Sequence, residues 1–419
     1  MAAVPDVRAR VQRNLPLLTW FTFLTGVRVY APVTVLYFHE FGLSTASVAV
    51  AWSVCYGAHI AFDWVTGLVA DYWGYRKSLI LGCALFFMSF LTIAITPMAS
   101  IAWWWLAAGM AGMGIAASLI YPPTVQAFAR RSTDWLEEQG AYFGFAGKSM
   151  SKFQYGGALG TVVAFGLLSL HGLGGMRLVW VVQSVLTLCL LGIAYCTIDL
   201  AKWRHPVRRS LSRSVAKVKA AFEARQSWSP IVIRLLPLFA ITLINETVSF
   251  TVQSFSYVSG FSPGGFACIF CAGYVAGGFV AAQMPELLKR VAAESLISGL
   301  GAVVVASRLA ITVVPPDWQV LAAVCMLSPV GSPFVIIWNI LIPVSERYRA
   351  TTLSMYATAN NIGFVLLCPA LGWLAAQWSF NAACLISAAA FSLCFIAAMA
   401  VSQRTFISPE ILSMELPPS

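Results

Sequence analysis

Gly67-Leu68-Val69-Ala70-Asp71-Tyr72-Trp73-Gly74-Tyr75-Arg76-Lys77-Ser78-Leu79 is a short polar loop set between two long apolar runs. Gly74 permits a tight turn that a side chain would resist. Gly67 lets neighbouring helices approach closely. Asp71 suits the positive, N-terminal end of a neighbouring helix, while Arg76 and Lys77 hold the loop on the cytoplasmic side of a membrane. The flanking runs, near 45–70 and 78–97, are each long enough to cross a hydrocarbon core of about 30 Å, which takes about 20 residues of helix. The rest of the chain repeats this pattern. Of its 419 residues, 59% are hydrophobic and only 10% charged, too few charges to cover a water-facing surface of that size.

Apolar runs divided by charge and turn clusters predict about twelve membrane-spanning helices. Six lie near 15–38, 45–70, 78–97, 101–128, 141–169 and 176–198. Six more lie near 229–258, 263–284, 294–314, 317–342, 353–375 and 380–401. They are numbered here as spans 1 to 12. The basic stretch 199–228 between the sets predicts a division into an N-terminal bundle over 1–198, a cytoplasmic linker, and a C-terminal bundle over 229–419. The segment 210–224 could also form an amphipathic helix on an anionic leaflet.

The net charge of +10 does not point to nucleic acid. Lys and Arg concentrate in alternate loops, as positive-inside topology requires, with Arg177 on the far side. The run from Leu15 to Tyr37, preceded by Arg8, Arg10 and Arg13, is too long for a cleaved signal and predicts an uncleaved first helix. Both termini are then cytoplasmic. Trp103, Trp104, Trp105 and Trp318 stand where an outer aromatic belt would lie. The ten cysteines are scattered through apolar runs, and the Cys268–Cys271 pair lacks a second pair or nearby His, so neither a disulfide framework nor a metal site is expected. No phosphate-binding Gly-x-x-x-x-Gly-Lys-Ser/Thr loop occurs, and the four His do not converge on a nucleophile or base. No cofactor and no enzymatic activity are expected.

The loop 67–79 resembles the signature between helices 2 and 3 of the major facilitator superfamily, Gly-x-Leu-Ala-Asp-Arg-x-Gly-Arg-Arg-x-x-Leu. A second resemblance follows span 10: Pro343-Val344-Ser345-Glu346-Arg347-Tyr348-Arg349-Ala350-Thr351-Thr352-Leu353-Ser354 is similar to the Arg-Ala-Thr-x-x-Ser entry to helix 11. It is followed by Gly363 and by Pro369 to Gly372. Gly67, Asp71, Gly74, Arg76, Lys77, Arg347 and Arg349 are thus the expected gating-loop residues. The resemblance implies an all-α membrane protein of two pseudo-symmetric six-helix bundles. It further implies a secondary transporter in the cell inner (plasma) membrane, monomeric, that moves a small organic solute by alternating access. Within the family, efflux-type members are the more similar. Export is therefore the favoured direction, and import of an anionic metabolite or siderophore, or a non-transporting sensor, is the alternative. There are departures. Tyr72 and Tyr75 stand where the motif has arginine, and Ala108, rather than Arg, precedes Gly112 by four residues.

Ionisable residues inside a span are costly and normally face a protein interior or a watery path. The family's architecture places helices 1, 4, 7 and 10 around the cavity, with 2, 5, 8 and 11 beside them and 3, 6, 9 and 12 outside. Arg28 in span 1 is then expected as an anion anchor and Glu246 in span 7 as a proton or cation site, the alternative being a structural ion pair, with Tyr30, Asn245 and Gln253 nearby. Lys148 and Lys152, spaced i,i+4, form either a two-cation clamp or a pair reaching back to the interface. Asp63 suits gating, with His59 one turn before it, and Arg308 on outer span 9 is expected to snorkel. Four cations against two carboxylates favour an anionic or zwitterionic solute.

Overall fold

The computed structural model describes residues 4–97, 101–120, 122–136, 139–171, 174–198, 236–242, 248, 251–253, 260, 262–344 and 349–404. Every regular element among them is helical. Among the described residues, ten helices are long and apolar enough to cross a membrane. Most of span 7 and the whole linker 199–228 lie outside the described residues, and span 11 is the helix Arg349–Gln377.

Outward faces are apolar. Leu170, Val313 and Leu393 are at least 70% exposed, which only a lipid solvent makes favourable. Trp104 and Trp318 are likewise exposed at the starts of their spans. Inward faces pack through small residues. A Cβ on Gly114 of span 4 would collide with the Cys55 carbonyl of span 2. With no hydrophobic difference between lipid and side chain to drive helices together, such close approach supplies the packing.

Spans 1 to 6 pack on one another and spans 8 to 12 do likewise. Asn14 closes the first set: its amide donates to the Ile198 carbonyl at 3.1 Å and its oxygen accepts from the Ile198 N–H at 2.9 Å, tying the start of span 1 to the end of span 6. The two sets meet along two seams. In one, span 2 (Thr45–Trp73) lies against span 11, and in the other span 5 (Gln139–His171) lies against span 8 (Pro263–Arg290). The first seam is close at Ala49 and Gly372, stacked in the middle where the Tyr56 and Phe364 rings are 3.9 Å apart, and polar at Asp63 and Thr358. In the second, Gly147 meets Pro285 at one end and Phe165 meets Phe266 at the other.

Spans 1 and 10 are interrupted. Span 1 is Asn14–Gly26, a 3-10 turn Ala31–Val33, then Thr34–Glu40. Span 10 is Pro316–Leu327 then Ser332–Val344, and span 4 is described over Ala102–Ile120 and Pro122–Leu136. Proline explains both breaks, since it lacks the N–H and its ring clashes with the preceding turn. Pro32, Pro329 and Pro333 sit at these points.

Candidate functional site

The break in span 1 organises the site. Pro32 prevents a continuous helix, so the backbone from Val27 to Tyr30 leaves the helical path and its polar groups need other partners. The Arg28 N–H turns back to the Gly26 carbonyl at 2.6 Å, and the Ala31 N–H donates to the Arg28 carbonyl at 3.1 Å. Two glutamines from other spans supply further partners. Gln183 of span 6 accepts from the Val29 N–H at 2.8 Å, and Gln253 of span 7 accepts from the Val35 N–H at 3.3 Å. Both glutamines are buried.

Span 5 supports the break with glycine. A Cβ on Gly156 would overlap the Phe23 carbonyl oxygen, and one on Gly160 would lie 2.9 Å from the Arg28 nitrogen. The two backbones therefore touch directly. This contact brings the half-buried Arg28 over the face of Phe153, with its guanidinium carbon 4.7 Å from the ring centroid. Tyr274 of span 8 lies on another side at 6.0 Å. Arg28 thus stands between the two bundles, at an irregular stretch of backbone within the membrane, with its guanidinium against the faces of two aromatic rings. A guanidinium in an aromatic setting keeps planar donors that suit a carboxylate or phosphate.

The other cavity candidates fare differently. Tyr30 turns into the first bundle: its ring is buried and stacks on Trp180 at 5.1 Å, with Phe90 also at 5.1 Å. The ring is part of the hydrophobic core. Lys148 and Lys152 are both exposed on the helix face that carries Leu159 and Val162, the outward, lipid-facing side. The clamp is therefore not formed, and of the two readings the structure favours the reach to the interface. Arg308 corrects the opposite way. It is fully buried, and its Nη1 donates to Ser387 Oγ of span 12 at 3.3 Å, so it does not snorkel. Glu246, Asn245 and Arg347 lie outside the described residues, and of Arg349 only the backbone, opening span 11, is described.

The loop 67–79 has its own arrangement. Gly74 has φ of 101°, a conformation that glycine alone adopts cheaply. Gly67 is buried, and Lys77 is exposed. Tyr75, standing where the motif has arginine, donates its hydroxyl to Asp71 Oδ1 at 2.9 Å. Asp71 is thereby tied to the first residue of span 3, Tyr75–Ala94. Arg131 lies over the Tyr75 ring at 5.7 Å. Arg76 reaches the end of span 6, donating to the Tyr195 carbonyl at 2.7 Å. Where the motif has arginine, Asp71 here accepts from a tyrosine hydroxyl whose ring lies under a cation.

Asp63 is buried completely in the seam between spans 2 and 11. Its Oδ2 accepts from the Thr358 hydroxyl at 3.0 Å, and its Oδ1 is 3.7 Å from His59 Nε2. A second buried network, not anticipated from the sequence, joins spans 4 and 5. Gln126 donates to Ser149 at 2.9 Å and accepts from the Tyr142 hydroxyl at 3.0 Å, and Arg130 pairs with Asp134 at 3.1 Å. The i,i+4 spacing of Arg130 and Asp134 was the available signal. Among the described residues no His, Cys, Asp or Glu group could hold a metal ion.

A family model described as Major Facilitator Superfamily matches residues 16–345. No curated protein matches the chain in sequence. Among solved structures, the crystal structure of a mutant of the nucleoside transporter NupG aligns with a TM-score of 0.67, covering 93% of this chain and 99% of that one at 14% identity. At that identity the likeness is one of fold.

Proposed function

This chain belongs to the major facilitator superfamily, and from that premise we propose that it is a secondary transporter that moves a small organic solute bearing a carboxylate or phosphate by alternating access. The observation that carries the reading is Arg28. It is a cation at a non-helical break in span 1, between the two bundles, where irregular backbone is tolerated only against protein or a watery path. Phe153 and Tyr274 set the guanidinium in an aromatic cage that spans both bundles. Tyr274 belongs to span 8, so rocking of the bundles would change the cage around Arg28 in each half-cycle.

The topology that accompanies this reading has both termini in the cytoplasm of a cell with the chain in its plasma membrane, working as a monomer. Export is the direction favoured by the resemblance of the stretch from Leu36 through Lys77 to efflux-type members. Uptake into right-side-out against inside-out vesicles distinguishes export from import.

A thermal-shift screen of purified protein identifies the solute class, because a ligand that binds the folded state stabilises it. The panel should contain carboxylates, phosphates, zwitterions, nucleosides and neutral sugars. Nucleosides are included because the structural neighbour named above is a nucleoside transporter. Anionic solutes are expected to raise the melting temperature of wild type and not of Arg28→Ala, with partial retention in Arg28→Lys. Hits in proteoliposomes should then show counterflow. Stabilisation by neutral solutes alone, unchanged in Arg28→Ala, would overturn the assignment of Arg28. Binding without flux would favour a transporter-derived sensor.

A further inference from the structure

We propose that Asp63 and His59 together form a proton-coupling site that locks the seam between spans 2 and 11, so that closing this seam takes up one proton and opening it releases one. The inference rests on the transport reading and adds the coupling ion to it.

The argument begins with placement. Asp63 lies ten residues before the end of the span 2 helix at Trp73, and Thr358 nine residues after the start of the span 11 helix at Arg349. At about 1.5 Å per residue both are about 14 Å from the loop-bearing end. They meet well inside the membrane. The carboxyl group is fully buried, and the imidazole side chain is only 10% exposed. A net charge at such a site costs several kcal/mol. One proton between Asp63 and His59 leaves the pair neutral overall, whether the proton sits on the carboxyl group or on Nε2. The pair then titrates as a unit.

The contacts around the pair come from each element packed on it. Span 2 itself supplies His59, the titratable partner. Span 11 supplies the Thr358 hydroxyl at 3.0 Å. Span 4 supplies the Ser118 carbonyl, reached through the Thr66 hydroxyl at 3.0 Å, while that same hydroxyl donates at 2.9 Å to the backbone carbonyl of Asp63. Thr358 belongs to the opposite bundle, so alternating access must break the Thr358–Asp63 bond. Once the seam parts, water reaches the pair, a net charge is no longer costly, and the proton leaves to solvent. Closing reverses the step. Acidification therefore favours the closed seam.

Double electron–electron resonance tests this on full-length protein in lipid nanodiscs. Spin labels are placed by Ala9→Cys and Arg290→Cys, both exposed, on a background lacking native cysteines that keeps the wild-type fold. The labels report the separation of the bundles at the loop-bearing end. The expected result is two populations, with the shorter distance growing as pH falls from 8.5 to 5.5. Asp63→Asn, permanently neutral, should hold the short population at every pH. His59→Gln should displace the midpoint, and Thr358→Val should enlarge the long population while keeping a pH response.

If Asp63→Asn responds to pH as wild type does, the proposal is wrong. Two populations that ignore pH in wild type would also end it, while leaving alternating access intact. A single population at every pH would count against both readings. Should Asp63→Asn fail to fold, an unmoved midpoint in His59→Gln overturns the proposal on its own.

Discussion

Gly156→Ala should destabilise the protein although it improves the helix that carries it. In a helix interior, exchanging glycine for alanine gains about 1 kcal/mol from backbone entropy. At Gly156 the new methyl group would overlap the Phe23 carbonyl oxygen and lie 2.9 Å from both the Gly26 carbonyl carbon and the Val27 nitrogen. All of these are backbone atoms, so no side chain can rotate away. Ordinary contact begins near 3.4 Å, so spans 1 and 5 must part by several tenths of an ångström or more. Overpacking of this kind costs about 1–3 kcal/mol. It also pulls the Arg28 segment off span 5 and loosens the Val29–Gln183 bond. The net expectation is a loss of about 0–2 kcal/mol. Gly166→Ala on the same helix is the control: nothing lies within 4 Å of its added Cβ, so it should be neutral or stabilising by up to about 1 kcal/mol. Melting curves of the two variants, read by tryptophan fluorescence in one detergent, give the comparison. If Gly156→Ala melts at or above Gly166→Ala, spans 1 and 5 are not in backbone contact and the site as described is wrong.

Other expectations follow from the same geometry. Gln183→Leu keeps the volume but strands the Val29 N–H inside the membrane, at a cost of about 1–3 kcal/mol, and should lower the melting temperature more than the same exchange at exposed Gln12. Tyr75→Phe removes the hydrogen bond to Asp71 and should cost about 1 kcal/mol, visible as faster proteolysis within the loop 67–79. Lys148→Gln with Lys152→Gln should leave solute-induced stabilisation within experimental error of wild type, because both side chains point outward. Loss of solute binding in that double variant would restore the cation clamp.

Much of the architecture was legible in the residues alone. Hydropathy finds spans because the bilayer forces each crossing segment to satisfy its backbone internally and to be apolar over a fixed length. The loop 67–79 identified the family because its glycines and charges are set by local turn geometry. The tertiary structure decided which ionisable residues share a cavity, a seam or a lipid face. Arg28, Asp63, Arg308, Lys148 and Lys152 look alike in a hydropathy profile, since each is a charge in an apolar run. A side chain's surroundings depend on helix rotation and on which neighbour arrives opposite it, from up to 295 positions away in the case of Thr358 and Asp63. The break at Arg28 lies between these extremes: Pro32 announces it, but Gln183 and Gln253, which make it affordable within lipid, come from spans that only packing brings near.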